Sequence, residues 1–398
     1  MKVAISGAGI AGPSLAYWLW RAGHAPTLVE KAPRIRASGY LIDFWGAGYT
    51  IAERMGLTPS VQAAGYAVQE LRLVDRRGAK VGGFAVDGFR RNLHGRFTSL
   101  PRGDLAALIY GAIDGNVETL FNDSIIGIEQ HEDGVNVAFE HASSRRFDLV
   151  IGAGGIHSPV RGLVFGPDSQ FEADLGYRVA AFEAEGYRPR DELVYVAYTR
   201  PGRMVARFAM RNDRTLFLLV HSVDHQTGAD PRDPSEAKTV LRQVFGASGW
   251  ECPQILAELD RAEEVYFDRV SQIAMDGWSA GRVALIGDAA CCVSLLGGEG
   301  TGLAMLEAYV LASELTNAGA DYRRAFQSYE HKLRPLIEHK QRSARRFASA
   351  FAPKTSLGLW TRNQASKLLD IPALADWVIR REFSDDTGLL ELFRRLDT

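Results

Sequence analysis

Residues 1–30 read MKVAISGAGIAGPSLAYWLWRAGHAPTLVE, and this stretch decides the fold. Val3-Ala4-Ile5 is a short apolar run of the kind that forms a buried strand. Gly7, Gly9 and Gly12 follow in the spacing G-x-G-x-x-G, and an apolar helix then runs to about Arg21. Gly23 ends that helix, and Thr27-Leu28-Val29-Glu30 reads as a second, parallel strand. The glycines let the backbone turn tightly and approach a pyrophosphate, whose charge the helix N-terminus stabilises. Glu30 closes the second strand where a carboxylate can grip ribose hydroxyls. A glycine turn alone would be structural; with both strands, the helix and the acid in place, it marks a dinucleotide site. Lys2 and the apolar residues up to Trp20 faintly resemble a secretory signal, but the glycines favour strand, turn and helix.

The whole chain fits that start. Its 398 residues correspond to about two to three domains. Hydrophobic residues at 46% and charged residues at 24% allow a sizeable core. A net charge of -2 gives no electrostatic case for nucleic acid or an anionic membrane, and the arginine doublets are scattered among acids as solvated surface. No stretch of about 18 uninterrupted apolar residues occurs, so no membrane span is expected. Of the three cysteines, Cys291 and Cys292 are adjacent, and neither C-x-x-C nor His/Cys ligand spacing appears. No metal and a reduced, cytoplasmic setting are the expectation.

Further along, Gly46–Met55 reads as a helix, and Leu71–Thr98 as β-hairpins broken by Gly78, Gly82-Gly83 and Gly88. Asp104–Ile113 is helical, strands follow around 117–120, 125–130, 135–140 and 148–152, and β signals dominate from Tyr177 to Val223. A helix starting with a capping residue covers Ser235–Phe245, Val283–Ile286 is an apolar strand, and a helix spans about Thr301–Leu315. From Tyr322 the chain is mostly helical, with breaks expected at Pro335, Pro353 and Pro372. The expected fold class is α/β: a Rossmann-like dinucleotide-binding domain interleaved with a second, β-sheet domain, plus a helical C-terminal tail. The dinucleotide-binding parts would be residues 1–70, 101–175 and 271–330, the β-sheet domain parts 71–100 and 176–270, and the tail 331–398. That tail suits packing across both domains or a dimer surface, so monomer and homodimer both stay open.

A second motif points to a flavin as the dinucleotide. Gly287-Asp288-Ala289-Ala290 follows an apolar strand, and Gly297-Gly298-Glu299-Gly300-Thr301-Gly302 opens a helix. An Asp after a strand can hold a ribityl hydroxyl, and a glycine-rich helix start offers free N–H groups to the electron-rich edge of a flavin. A structural turn is the alternative for this motif taken alone.

These residues together resemble the single-component FAD-dependent aromatic hydroxylases of the p-hydroxybenzoate hydroxylase superfamily. Within it the chain is most similar to tetracycline-inactivating flavin monooxygenases and natural-product tailoring oxygenases. The resemblance assigns Gly7, Gly9, Ala11, Gly12, Glu30 and Lys31 to the adenosine-diphosphate end. It places Arg102, in Arg102-Gly103-Asp104-Leu105, near the pyrophosphate and ribityl chain. Asp288 matches the Asp of the family's G-D motif, while Gly298, Gly300, Thr301 and Gly302 match the loop beneath the flavin ring. Arg36 resembles an arginine implicated in nicotinamide contact, and Asp43 a flavin-contacting acid; a surface ion and a loop cap are their plainer readings.

The implied activity is FAD-dependent monooxygenation through a flavin C4a-hydroperoxide. NAD(P)H would be the reductant, molecular oxygen the oxidant, and an aromatic or polycyclic small molecule the substrate. No protein nucleophile or catalytic side chain is assigned. The chain also departs from the family: Gly154-Gly155 stands for the usual D-G pair, Cys291 for His, Leu295 for Pro, Glu299 for Gln and Gly302 for Asn. A flavin dehydrogenase or oxidase on the same fold is therefore the second reading. A halogenase is disfavoured because no W-x-W-x-I-P segment occurs, and a flavin-holding module without activity is the remaining alternative. Tyr40, Phe44 and Trp45 belong either to an aromatic pocket or to the core. Arg207 and His221 either face a ligand or are satisfied polar residues.

Overall fold

The structure is a computed structural model, and it describes residues 1–35, 39–223, 230–231, 233–294, 298–371 and 393. Arg36, Leu295 and Pro372 lie outside the described residues. The chain begins with β1 (Lys2–Ser6), α1 (Ala11–Arg21), β2 (Ala25–Glu30), β3 (Leu41–Trp45), α2 (Gly46–Arg54) and α3 (Thr58–Ala64). There follow β4 (Glu70–Val74), β5 (Lys80–Ala85), α4 (Asp87–Asn92), β6 (Phe97–Pro101), α5 (Arg102–Gly111) and β7 (Glu118–Phe121). The middle contains β8 (Ile125–His131), β9 (Gly134–Phe139), β10 (Arg145–Phe147), β11 (Leu149–Gly152) and α6 (Pro159–Val164). Next come β12 (Glu172–Glu185), β13 (Val194–Arg200), β14 (Arg203–Ala209), β15 (Arg214–Ser222), α7 (Pro234–Phe245), α8 (Cys252–Arg261) and β16 (Tyr266–Ile273). The last elements are β17 (Ser279–Ala280), β18 (Val283–Leu285), α9 (Asp288–Cys291), α10 (Gly300–Ala318), α11 (Tyr322–Phe351) and α12 (Ser356–Leu368).

Two sheets organise the molecule. The first has the order β17-β18-β11-β1-β2-β7. All its neighbours are parallel except the β17–β18 pair. Its central strands carry continuous apolar runs, such as Val3-Ala4-Ile5 and Leu149-Val150-Ile151, as a sheet covered on both faces requires. The second sheet has the order β16-β12-β15-β14-β13-β4-β5. Here β4 and β5 come from before the middle of the first sheet in sequence and β12–β16 from after it, joined by the parallel β4–β13 pair. The two halves of the fold therefore interleave along the chain.

The second sheet shows the period of two expected of a strand with unlike faces. On one face Val74, Val196, Tyr198, Val205, Phe217 and Leu219 pack under Leu241 and Phe245 of α7 and Ile255 and Leu259 of α8. The opposite face presents Leu73, Ala197, Ala206 and Leu218, neighbours in one row across four strands. That row lines a cavity. Two alanines in its middle keep the floor low.

Some sequence expectations need correction. The stretch from Leu71 to Thr98 is not all hairpin: β4 and β5 form one, but α4 intervenes, and β6 pairs with β3 instead. The cap of α7 is Asp233, whose carboxylate accepts the N–H groups of Ser235 and Glu236, so the helix starts one residue earlier than read. Pro335 lies inside α11 and does not break it. It removes one backbone hydrogen bond, while Leu333 and Ile337 on either side are buried and Arg334 donates to the carbonyls of Met275 and Asp276. Pro353 does separate α11 from α12. Helix α8 and strand β16 were not anticipated. No helix among the described residues is long and apolar enough to cross a membrane.

Helix α12 covers the edge strand β5. Ser366 Oγ accepts the Gly83 N–H at 2.9 Å and Asp370 Oδ1 accepts the Ala85 N–H at 2.9 Å, so two edge donors are satisfied by side chains of the C-terminal segment. The contact needs Gly82 bare: a Cβ there would lie 2.7 Å from Ser366 Oγ and 2.9 Å from the Asn363 carbonyl. Gly82→Val is expected to loosen α12 without unfolding the first sheet. Hydrogen exchange should rise across residues 358–369 and stay unchanged in β1 and β11; equal protection of α12 in both proteins would refute this docking.

Candidate cofactor and substrate site

The site begins where β1 hands over to α1. Gly7 has φ +108° and donates its N–H to the Val29 carbonyl at 2.7 Å. A Cβ on Gly7 would meet the Ala153 carbonyl oxygen at 2.5 Å, and one on Gly12 would meet the Gly7 carbonyl oxygen at 1.9 Å. Neither backbone neighbour can move aside, so both positions exclude any side chain. Above Gly9 the space is open: the nearest atom to a Cβ there would be an Arg102 guanidinium nitrogen at 3.6 Å. Glu30 fixes this loop, because its two carboxylate oxygens accept the N–H groups of Ala8 at 2.8 Å and Ala32 at 2.9 Å.

Gly7, Gly9, Ala11, Glu30 and Lys31 all border one cavity of about 1610 Å³. Gly12 lies behind the loop and acts through its close packing. Arg102, the first residue of α5, also lines the cavity and has no ion pair among the described residues.

Asp288 enters the same cavity from the end of β18. Burial raises its carboxyl above the usual carboxylate range, opposed first by the positive charge of Arg102. The turn before it is held from behind by Glu307 of α10, which accepts the Gly287 N–H at 2.6 Å and the Tyr329 hydroxyl at 3.2 Å. Cys291 Sγ donates to the same carboxylate at 3.5 Å. Burial pushes the Glu307 carboxyl up to about 7. Gly298, Gly300 and Thr301 border the cavity at the start of α10. Gly302 does not: it packs against α2, where a Cβ on Gly48 would lie 2.6 Å from the Gly302 Cα. Glu299 pairs with Lys340 of α11 at 2.9 Å.

Asp43 is no loop cap. It sits on β3 opposite Ser99 of β6, accepts the Ser99 hydroxyl at 2.5 Å, and is hydrogen-bonded by Tyr195 of β13. Its accessible surface lies in the cavity wall, where burial raises its carboxyl and drives the Tyr195 phenol well above its ordinary value. Tyr40 and Trp45 line the cavity, whereas Phe44 is buried in the core. Burial lifts the Tyr40 phenol to about 12, and its ring lies 5.8 Å from that of Tyr266. Gly154 and Gly155 also border the cavity, and next to them His157 is raised chiefly by its contact with Asp268 at 3.5 Å. Arg207 pairs with Glu251 and Asp191, each at 2.7 Å, and His221 is buried beside Phe245 and Phe267. Neither lines the cavity, so Arg207 is a satisfied polar residue.

Sequence reasoning missed Glu307, Tyr195, Ser99 and the Tyr266–Asp268 edge of β16. Glu307 had left a signal, since it is an acid inside the apolar run from Leu303 to Ala312. Among the described residues no group of three or more His, Cys, Asp or Glu is placed to hold a metal, and all three cysteines are free and buried.

The cavity is larger than the roughly 300–1,000 Å³ of an ordinary small-ligand site, and it joins a glycine-backed groove to an apolar chamber. A loop that excludes side chains, an arginine beside it with no ion pair among the described residues and two carboxylates placed along one groove fit an adenine dinucleotide with a flavin at its far end. The profile of the FAD binding domain family matches residues 1–343. The chain belongs to this family. A flavin-dependent monooxygenase from an unknown prokaryotic organism is 35% identical over 343 residues, covering 86% of this chain and 87% of that protein. Another, from Legionella longbeachae, is 34% identical over 86% of this chain and 87% of its own length. Among solved structures, the tetracycline destructase Tet(51) superposes with a TM-score of 0.81 at 29% identity, covering 94% of this chain and 97% of that one. This flavoprotein is an FAD-dependent monooxygenase, an oxidoreductase.

Two outcomes check the geometry. Gly12→Val in the flavoprotein is expected to abolish FAD retention, read as loss of flavin absorbance in the purified protein; full occupancy would show that the loop can widen. Glu307 sets a pH dependence whose sign is fixed. Its folded carboxyl lies above the ordinary 4.5, so between about 4.5 and 7 the folded protein keeps a proton that the unfolded chain releases, and stability falls as pH rises. Glu307→Gln cannot titrate and should lose less thermal stability across that window. Parallel melting curves for the two proteins at every pH would contradict the assignment.

Proposed function

We propose that the flavoprotein hydroxylates an aromatic or polycyclic small molecule, with NAD(P)H as reductant and molecular oxygen as oxidant. The observation that carries this reading is the continuity of the cavity: the groove of Gly9, Arg102 and Asp288 opens directly onto the apolar face of Leu73, Ala197, Ala206 and Leu218. When bound, FAD supplies the activation of oxygen and its delivery to the substrate.

The chain supplies position, charge and dryness. Glu30 would hold the ribose of the adenosine and Arg102 would neutralise the pyrophosphate with the N–H groups at the start of α1. Asp288 would accept a ribityl hydroxyl, and the N-terminus of α10 at Gly300 and Thr301 would face the pyrimidine edge of the ring, where negative charge collects on reduction. Asp43, hydrogen-bonded by Ser99 and Tyr195, would present its carboxyl to a bound phenol from the cavity wall. The floor of aliphatic side chains would keep water from the reacting atoms. Only one dinucleotide loop occurs among the motifs, which supports transient use of the nicotinamide nucleotide.

Tetracycline is a suitable first polycyclic probe, because two solved relatives are tetracycline destructases. Incubation of the FAD-loaded protein with NADPH or NADH, isotopically labelled O2 and a series of one- to four-ring phenols should give a product carrying one labelled oxygen atom. Nucleotide consumption that yields only hydrogen peroxide across the series, or product without label, would overturn the proposal. Asp288→Ala is expected to weaken FAD binding roughly ten- to hundredfold, the worth of a hydrogen bond to a charged group. Unchanged affinity in a fluorescence titration would remove Asp288 from the cofactor site.

A further inference from the structure

Two arginines line the cavity without a carboxylate partner among the described residues. Arg102 stands beside the glycine loop, where a pyrophosphate accounts for it. Arg362 stands elsewhere. It lies on α12, which packs on β5 and β13 of the second sheet. Gly358, Thr361, Arg362, Ala365, Ser366 and Leu369 all border the cavity, and their spacing of three and four residues is a single stripe along the helix. Ser366, one turn beyond Arg362, is fixed to the Gly83 N–H, so this stripe is held facing the chamber.

The surroundings of Arg362 are unusual for a cation. Among the described residues, the one side-chain hydrogen bond of its guanidinium is to Asn363 Oδ1 at 3.0 Å. Burial moves it, lowering the guanidinium to about 10, and among the described residues no acid acts in the opposite direction. The acids of the cavity wall are engaged elsewhere. Glu30 holds Ala8 and Ala32, Asp123 accepts three backbone N–H groups, Asp43 holds Ser99, Asp268 faces His157 and Asp288 lies within the field of Arg102. A half-buried cation above an apolar floor is unfavourable until an anion reaches it. Lys354, at the exposed rim of the same cavity, adds a second positive charge from the same C-terminal segment.

We propose that Arg362 is the anion-recognising residue of the substrate chamber, and that the molecule oxidised there carries a carboxylate or an equally acidic oxygen at the end facing α12. The inference rests on the reading of the apolar chamber as the substrate site. A planar guanidinium takes a carboxylate through two parallel hydrogen bonds, so Arg362 fixes the orientation of the ring system as well as its charge. The phosphates of a nicotinamide nucleotide are the other source of such an anion, and the test separates the two.

The test uses FAD-loaded protein and a series of one- to four-ring aromatic carboxylates with their matched carboxamides, for example 1-hydroxy-2-naphthoate and 1-hydroxy-2-naphthamide. Binding is read by the perturbation of flavin absorbance, independently of turnover. The wild type should prefer the acid over the amide roughly ten- to hundredfold for ring systems that fit. Arg362→Gln should bring the two affinities together, and Arg362→Lys should restore part of the preference. Retained flavin content and melting temperature report that the variants are folded. A wild type that binds no carboxylate in the series, or shows no preference for the acids, overturns the proposal, as does discrimination that survives Arg362→Gln. A rise confined to the KM for NADPH or NADH in Arg362→Gln assigns the arginine to the nucleotide and overturns it too. Failure of the oxygenation reading would look different: acid-over-amide binding would persist while no labelled product forms.

Discussion

The contact between Gly12 and the Gly7 carbonyl is the constraint from which the site follows. With 1.9 Å between that oxygen and the place of a Cβ, α1 can start only where two glycines let the backbone fold onto itself. That closeness points the first N–H groups of α1 into the groove, brings Ala8 within reach of Glu30 and leaves open space above Gly9. Everything else converges on this loop. Ala153, at the end of β11, touches it from one side, and Ala11 presses against Gly287 from the other. Gly287 in turn carries Asp288, so the two halves of the groove share a wall.

The second level of order is the treatment of the seven-stranded sheet. One face is closed by α7 and α8 as an ordinary core, and the other is kept open by Ala197 and Ala206 and roofed by α12. The roof depends on side chains, not on a further strand, because Ser366 and Asp370 satisfy the edge donors of β5. Long helix α11 ties the two sheets together: Gln341 donates to the carbonyls of Ile273 and Cys292, and Glu330 accepts the Trp278 N–H. The chamber is thus framed by elements from every part of the chain.

Much of this was legible in the sequence, for identifiable reasons. The glycine loop, Glu30, Arg102 and Asp288 were readable because strand and helix periodicity placed them at the ends of elements, and the described structure brings them to one cavity. Gly302 does not border the cavity, and the motif spacing that made it resemble a flavin contact says nothing of the α2 backbone that crosses it. Pro335 misled for a similar reason: a local rule about helix interiors yielded to tertiary contacts of Leu333, Arg334 and Ile337. Tyr195, Ser99 and Arg362 carry no local signature. Their roles arise from strand register and from the docking of a distant helix, neither of which is encoded at neighbouring positions.

The central claim is that separated segments of one chain enclose a single FAD. Its most direct test is the visible spectrum of the purified protein, with flavin released by denaturation and quantified against polypeptide. One FAD per chain, after incubation with the cofactor if necessary, is the predicted result. Protein that is colourless and stays colourless after that incubation would contradict the account.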